Sequence, residues 1–239
     1  MKFGYLSGIG EITPNIFAKA SAVSKAKIFI TLYNANVERD MQIPLHYAKF
    51  KNIKKIFKAH IDELLTHKSI NAKVAWNFCL VSNVIIRAYL DKNFEILKFI
   101  AKEPKYPVAK LIKMLYITGD FEICFDANEM FFHFVYDKIS KKHLDKDIVF
   151  QNGIISIFKN KEHLLSVMPS FKHINLDDMR NINDEIYRAV GAINSKKCEK
   201  IYIVFPRNNK FKHHIDIKHC DCVNGSIKLV PYTISNKIF

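Results

Sequence analysis

Glycine and proline are scarce, with seven of each among 239 residues, which excludes a collagen-like repeat and a Gly/Pro-rich disordered chain. Arginine is scarcer still. Of 37 basic residues only Arg39, Arg87, Arg180, Arg188 and Arg207 are arginines, and the rest are lysines. Bidentate reading of guanine relies mainly on arginine, so a nucleic-acid partner would be tracked along its backbone rather than read base by base. Long apolar runs are missing too. The nearest approach to a membrane span, Val74 to Leu90, is interrupted by Asn77, Ser82, Asn83 and Arg87 and reads as a buried helix. Met1 to Glu11 lacks the uninterrupted apolar segment of a signal peptide. The cysteines, Cys79, Cys124, Cys198, Cys220 and Cys222, are odd in number and scattered, which is no disulfide framework. The expected compartment is the cytoplasm. The chain carries no P-loop, no G-x-G-x-x-G after a strand, no G-x-S-x-G, no H-E-x-x-H and no kinase signature, and no cofactor is expected.

What is present is an ordinary globular balance, 49% hydrophobic and 25% charged, with a net charge of +14. At this length one or two domains are both reasonable. A lysine-rich chain can reflect an AT-rich genome, but codon bias would raise every segment alike. Residues 1–110 carry a balance of +10 and residues 191–239 of +6, whereas residues 111–190 stand at −2. The two ends are therefore basic beyond what bias alone explains.

Hydrophobic patterning predicts the order of elements. Ala26 to Tyr33 is β-branched and aromatic and reads as a strand. From Tyr47 to Leu65 apolar residues recur at three- and four-residue steps, the mark of an amphipathic helix. Further helices are expected over about 70–90, 91–103 and 108–116. Beyond Gly119 the period becomes two: a strand over 121–125 turns at Ala127-Asn128 into Met130–Tyr136, and a better hairpin joins 147–150 to 154–158 through Asn152-Gly153. Residues 159–168 read as a short helix, and Asn175 caps a longer one with Asp177 and Asp178 in its first turn. Strands over 200–205, 213–219 and 226–232 close the chain. The expected class is α+β, a helical N-terminal half packed on a mostly antiparallel sheet formed largely by the C-terminal half. The join between two subdomains, 1–118 and 119–239, has no Gly/Ser-rich linker, so one compact domain is the close alternative.

The leading site candidate is a lysine stripe. Lys51, Lys54, Lys55 and Lys58 stand at i, i+3, i+4 and i+7 of the first long helix, off its apolar face. Like charges so close repel on a bare helix, and an anionic partner turns that cost into attraction. Arg207, Lys210 and Lys212 extend the expected polyanion-binding set at the other end of the chain. A solvated lysine face is the competing explanation of the stripe. Weaker candidates are His214, Asp216, Cys220 and Cys222, which share one face of a strand and suit zinc, although Lys218 interrupts them. Two acidic groups, Asp120/Glu122/Asp126/Glu129 and Asp177/Asp178/Asp184/Glu185, resemble Mg²⁺-holding carboxylates. Met130 to Phe134 offers base-stacking rings if exposed. These features predict a cytoplasmic binder of a DNA or RNA backbone, or of another polyanion. The alternatives are an accessory factor docking on an acidic protein and, third, a metal-dependent hydrolase or nuclease.

Overall fold

The computed structural model describes residues 1–66, 80–176, 178–195, 198–218 and 225–234. The chain is α+β and divides into two compact units, Met1–Asp126 and Ala127–Phe239.

The first unit is mainly helical around a three-stranded antiparallel sheet. Strand β1 (Lys2–Leu6) runs between β2 (Ile9–Ile12) and β3 (Ile123–Asp126). Helix α1 (Ala22–Asn34) occupies the segment whose composition predicts a strand. Ser21 starts it by accepting the Ser24 N–H at 3.2 Å, and its buried residues Ala26, Phe29, Ile30 and Tyr33 fall at i, i+3, i+4 and i+7. Burial at that spacing outweighs the local β-propensity of Ile28 to Thr31.

The predicted helix over 47–65 is two pieces. A 3-10 helix covers Leu45–Phe50, Lys51 adopts a left-handed conformation at φ 62°, and α2 (Ile53–Thr66) begins afresh. Two groups cap α2. Asn52 Oδ1 accepts the Lys55 N–H at 3.0 Å, and Glu11 Oε1 from β2 accepts the Ile53 N–H at 3.1 Å, which places a carboxylate at the positive end of the helix. Helix α3 (Val81–Leu90) is the described part of the predicted helix over 70–90, whose earlier residues lie outside the described set. The 91–103 segment is a short 3-10 helix, Phe94–Phe99, and α4 (Pro107–Tyr116) starts with proline in its first turn as expected. Phe3, Phe29, Tyr33, Phe57, Ile61, Ile86 and Leu111 are buried in this unit.

In the second unit, α5 (Ala127–Lys142) takes the place of the predicted turn and strand. Ala127, Met130, Phe131, Phe134 and Val135 are its buried residues, again a helical period that the run of aromatics disguises. Strands β4 (Asp147–Gln151) and β5 (Ile154–Lys159) form the expected hairpin, with Asn152 at φ 52° and Gly153 at φ 75°. The predicted helix over 159–168 is instead β6 (Glu162–Pro169). Asn160 and Lys161 both adopt positive φ and close a second tight hairpin, and lysine in that position hides the turn from a reader of sequence.

Helix α6 (Asn183–Asn194) begins eight residues after Asn175, with Asp184 and Glu185 rather than Asp177 and Asp178 in its first turn. Asp178 holds Arg180 at 2.8 Å instead, and Asp177 lies outside the described residues. Strands β7 (Lys200–Pro206), β8 (Ile215–Ile217) and β9 (Ser226–Tyr232) complete a six-stranded sheet of order β4-β5-β6-β7-β9-β8. The sheet is mixed. Short turns produce the antiparallel β4/β5/β6 run, but α6 separates β6 from β7, and those strands pair parallel, as do β7 and β9. Ala189, Val190, Ala192 and Ile193 of α6 are buried in one core with Ile201, Ile203 and Phe205 of β7 and with Ile227 and Leu229 of β9.

Candidate polyanion-binding cleft

Three of the four stripe lysines stay together on α2. Lys54, Lys55 and Lys58 are exposed there, whereas Lys51 sits in the turn ahead of the helix and does not continue the stripe. Lys54 and Lys58 lie along a cleft of about 440 Å³ in the first unit, lined also by Asp62, Tyr89, Leu90, Lys92, Phe94, Tyr116, Asp120 and Phe121. The cleft therefore joins α2, the end of α3, the turn after it and the end of α4.

Its floor is aromatic. Phe94 stacks on Tyr116 at 4.3 Å between ring centroids and 11° between planes. Tyr89 meets Tyr116 edge-on at 5.7 Å, and Phe121 meets Tyr116 at 5.8 Å. Lys54 Nζ stands over the Phe121 ring at 5.6 Å, a cation–π contact. Asp62 organises one wall. Its Oδ1 accepts the Tyr89 hydroxyl at 2.8 Å, and its Oδ2 accepts Lys58 Nζ at 3.0 Å. Burial pushes the Tyr89 hydroxyl well above its ordinary titration range, and the bond to Asp62 raises it further, so it remains a donor at neutral pH. Burial, and then the Asp62 charge, do the same to Tyr116. The Lys58–Asp62 pair is half exposed on both sides and adds little to stability.

Lys92 reaches the cleft through a costly backbone. Helix α3 ends in a paired-carbonyl stop: the Lys92 N–H donates to Tyr89 O at 3.2 Å and the Asn93 N–H to Ala88 O at 2.8 Å. The residue at the turn must be left-handed, a place that glycine usually fills, and here it is lysine at φ 57°. Sequence reasoning missed Lys92, Tyr89, Phe94 and Tyr116. They come from three elements spread over nearly thirty residues, and no periodicity links them.

The remaining predicted residues lie in the second unit. Arg207, Lys210 and Lys212 are exposed on the segment between β7 and β8, and Lys210 Nζ meets Asn175 Oδ1 at 3.2 Å. They form a basic loop of their own within that unit. Of the metal candidates, Asp216 is engaged by Lys228 of the neighbouring strand at 3.2 Å, His214 is exposed just ahead of β8, and Cys220 and Cys222 lie outside the described residues. Among the described residues no group of three or more His, Cys, Asp or Glu side chains gathers as a metal site would require. The aromatic run is no open stacking surface, because Phe131 and Phe134 are buried. Glu185, one of the carboxylates of the second acidic group, is only 6% exposed. It accepts the Ser170 hydroxyl at 3.0 Å and pairs with Lys172 Nζ at 2.8 Å, a fastening between the end of β6 and α6.

No family model and no curated protein matches the chain. Its fold is similar to that of a chain in the refined half-complex from the tetradecameric assembly of Thermococcus gammatolerans McrB AAA+ hexamers with bound McrC. The TM-score is 0.64 at 11% identity, over 100% of this chain and 79% of that one. The likeness is one of fold. No helix among the described residues is long and apolar enough to cross a membrane.

Proposed function

We propose that the protein is a cytoplasmic binder of a nucleic-acid backbone, DNA or RNA, without strong sequence readout. One observation carries this reading: Lys54, Lys58 and Lys92, from two different parts of the chain, line one cleft over an aromatic floor. Ammonium groups attract phosphate by point charge and release counterions on binding, whereas the scarcity of arginine argues against bidentate base reading. Lys55, on the same helix, and Lys51, in the turn before it, add positive charge to the first unit, and Arg207, Lys210 and Lys212 form a separate basic loop in the second. The test is fluorescence anisotropy with a labelled oligonucleotide as salt is raised. Replacing Lys51, Lys54, Lys55 and Lys58 together by glutamate is expected to abolish low-salt binding, and binding that survives unchanged overturns the assignment.

A second reading is an accessory factor that docks on an acidic protein. The neighbour of similar fold belongs to a multi-protein assembly, and edge strand β4 exposes Val149 and Phe150 by more than half. This reading predicts negligible nucleic-acid affinity and a stable protein partner at the basic surfaces.

A further inference from the structure

We infer that the cleft of the first unit takes an unstacked base of a single-stranded nucleic acid, with the adjoining phosphates on Lys54, Lys58 and Lys92. The inference rests on the backbone-binding reading and specifies its substrate. Charge alone serves the cleft poorly, because three ammonium groups face two carboxylates, Asp62 and Asp120, which repel phosphate. Most of the lining suits something else. Phe94 is half-buried and Leu90 is 48% exposed, an apolar surface that a phosphate chain leaves uncovered and a base would cover.

The rings are fixed before any ligand arrives. Phe94 rests on Tyr116, Tyr116 is braced edge-on by Tyr89 and Phe121, and Tyr89 is tied to Asp62 through its hydroxyl. Tyr116 and Phe121 are buried supports, so half-buried Phe94 is the ring on which a base would stack, an interaction every base can supply whatever its identity. A duplex keeps its bases inside its own stack and offers this floor nothing. The volume of about 440 Å³ falls in the range of small-ligand sites and admits a base with its sugar. Lys55, exposed on the same helix as Lys54 and Lys58, offers a further phosphate contact that a strand can use and a free mononucleotide cannot.

The test measures full-length protein against labelled single strands of about 12 nucleotides and the matching duplex, at low salt, by anisotropy. The single strand is expected to bind about tenfold more tightly than the duplex, the size of one base–aromatic stack. Phe94→Leu keeps the apolar volume but removes the ring, and it should erase most of that preference. Leu90→Ser, at an exposed position that leaves folding intact, should lose part of it. Equal affinity for single strand and duplex overturns the inference, as do variants that keep the preference or a mononucleotide that displaces the strand at equal concentration. Failure of the backbone reading looks different: neither nucleic acid binds at low salt.

Discussion

Gly4 on β1 pairs with Cys124 on β3, so close that a side-chain carbon on Gly4 would stand 2.8 Å from the Cys124 Cα and 2.7 Å from the carbonyl carbon of the preceding Ile123. Gly4 also has φ 141°, a region L side chains rarely adopt. Both obstacles are backbone and cannot swing aside. Gly4→Ala is therefore expected to destabilise the first unit by about 3 kcal/mol or more. Chemical denaturation followed by circular dichroism measures this, and a loss below about 1 kcal/mol would mean that the strands part more easily than the packing implies.

The second unit has its own sensitive pair in Lys172 and Glu185. Glu185 is nearly enclosed while Lys172 remains one-third exposed, so the two substitutions are unequal. Lys172→Ala leaves a buried carboxylate with only the Ser170 hydroxyl for company and is expected to cost about 2–3 kcal/mol, discounted for the partial exposure of the lysine. Glu185→Gln, which keeps the shape and the hydroxyl bond, should cost less. A double-mutant cycle by urea unfolding measures the coupling.

Lys92→Gly separates stability from binding. Glycine relieves the left-handed strain at the end of α3, so the variant should be more stable by about 0.5–1 kcal/mol, part of the gain being lost to the freer unfolded chain. The same change removes one ammonium from the cleft, and oligonucleotide affinity should fall with a shallower salt dependence. A variant both less stable and equally tight in binding would contradict the role given to Lys92.

His60 predicts an acid response. It is 6% exposed, its ring meets Tyr47 at 5.4 Å, and neither ring nitrogen has a hydrogen-bond partner among the described residues. Burial, with a smaller contribution from His46, lowers its pKa below the ordinary 6.5. The unfolded chain then takes up a proton that the folded one refuses, so stability is full above pH 6.5 and falls as pH drops toward the lowered folded value. His60→Leu should reduce the difference in melting temperature between pH 7.5 and 5.5, measured by thermal denaturation.

Where hydrophobic spacing and turn chemistry agreed, the fold could be read directly. Asn152-Gly153 announced its hairpin, Pro107 announced α4, and β7 and β9 lie where β-branched residues cluster. Reading failed where composition and burial disagreed. The Ile-Phe-Ile-Thr run of α1 and the Phe-rich run of α5 look like strands until their buried positions are counted at helical steps. Lys51 broke the first long helix without glycine or proline to signal it. Lys54 and Lys58 were legible as half of the cleft because they share a helix. The other half, Lys92 and the rings of Tyr89, Phe94 and Tyr116, is assembled by tertiary folding and leaves no local trace.

Strand β1 needs β3 as a neighbour, yet more than a hundred residues separate the two in the chain. During synthesis β1 must wait, its β3 side unpaired, until residue 126 clears the ribosome. The first unit thus completes its sheet late, and any device that shields a nascent edge strand would act on β1.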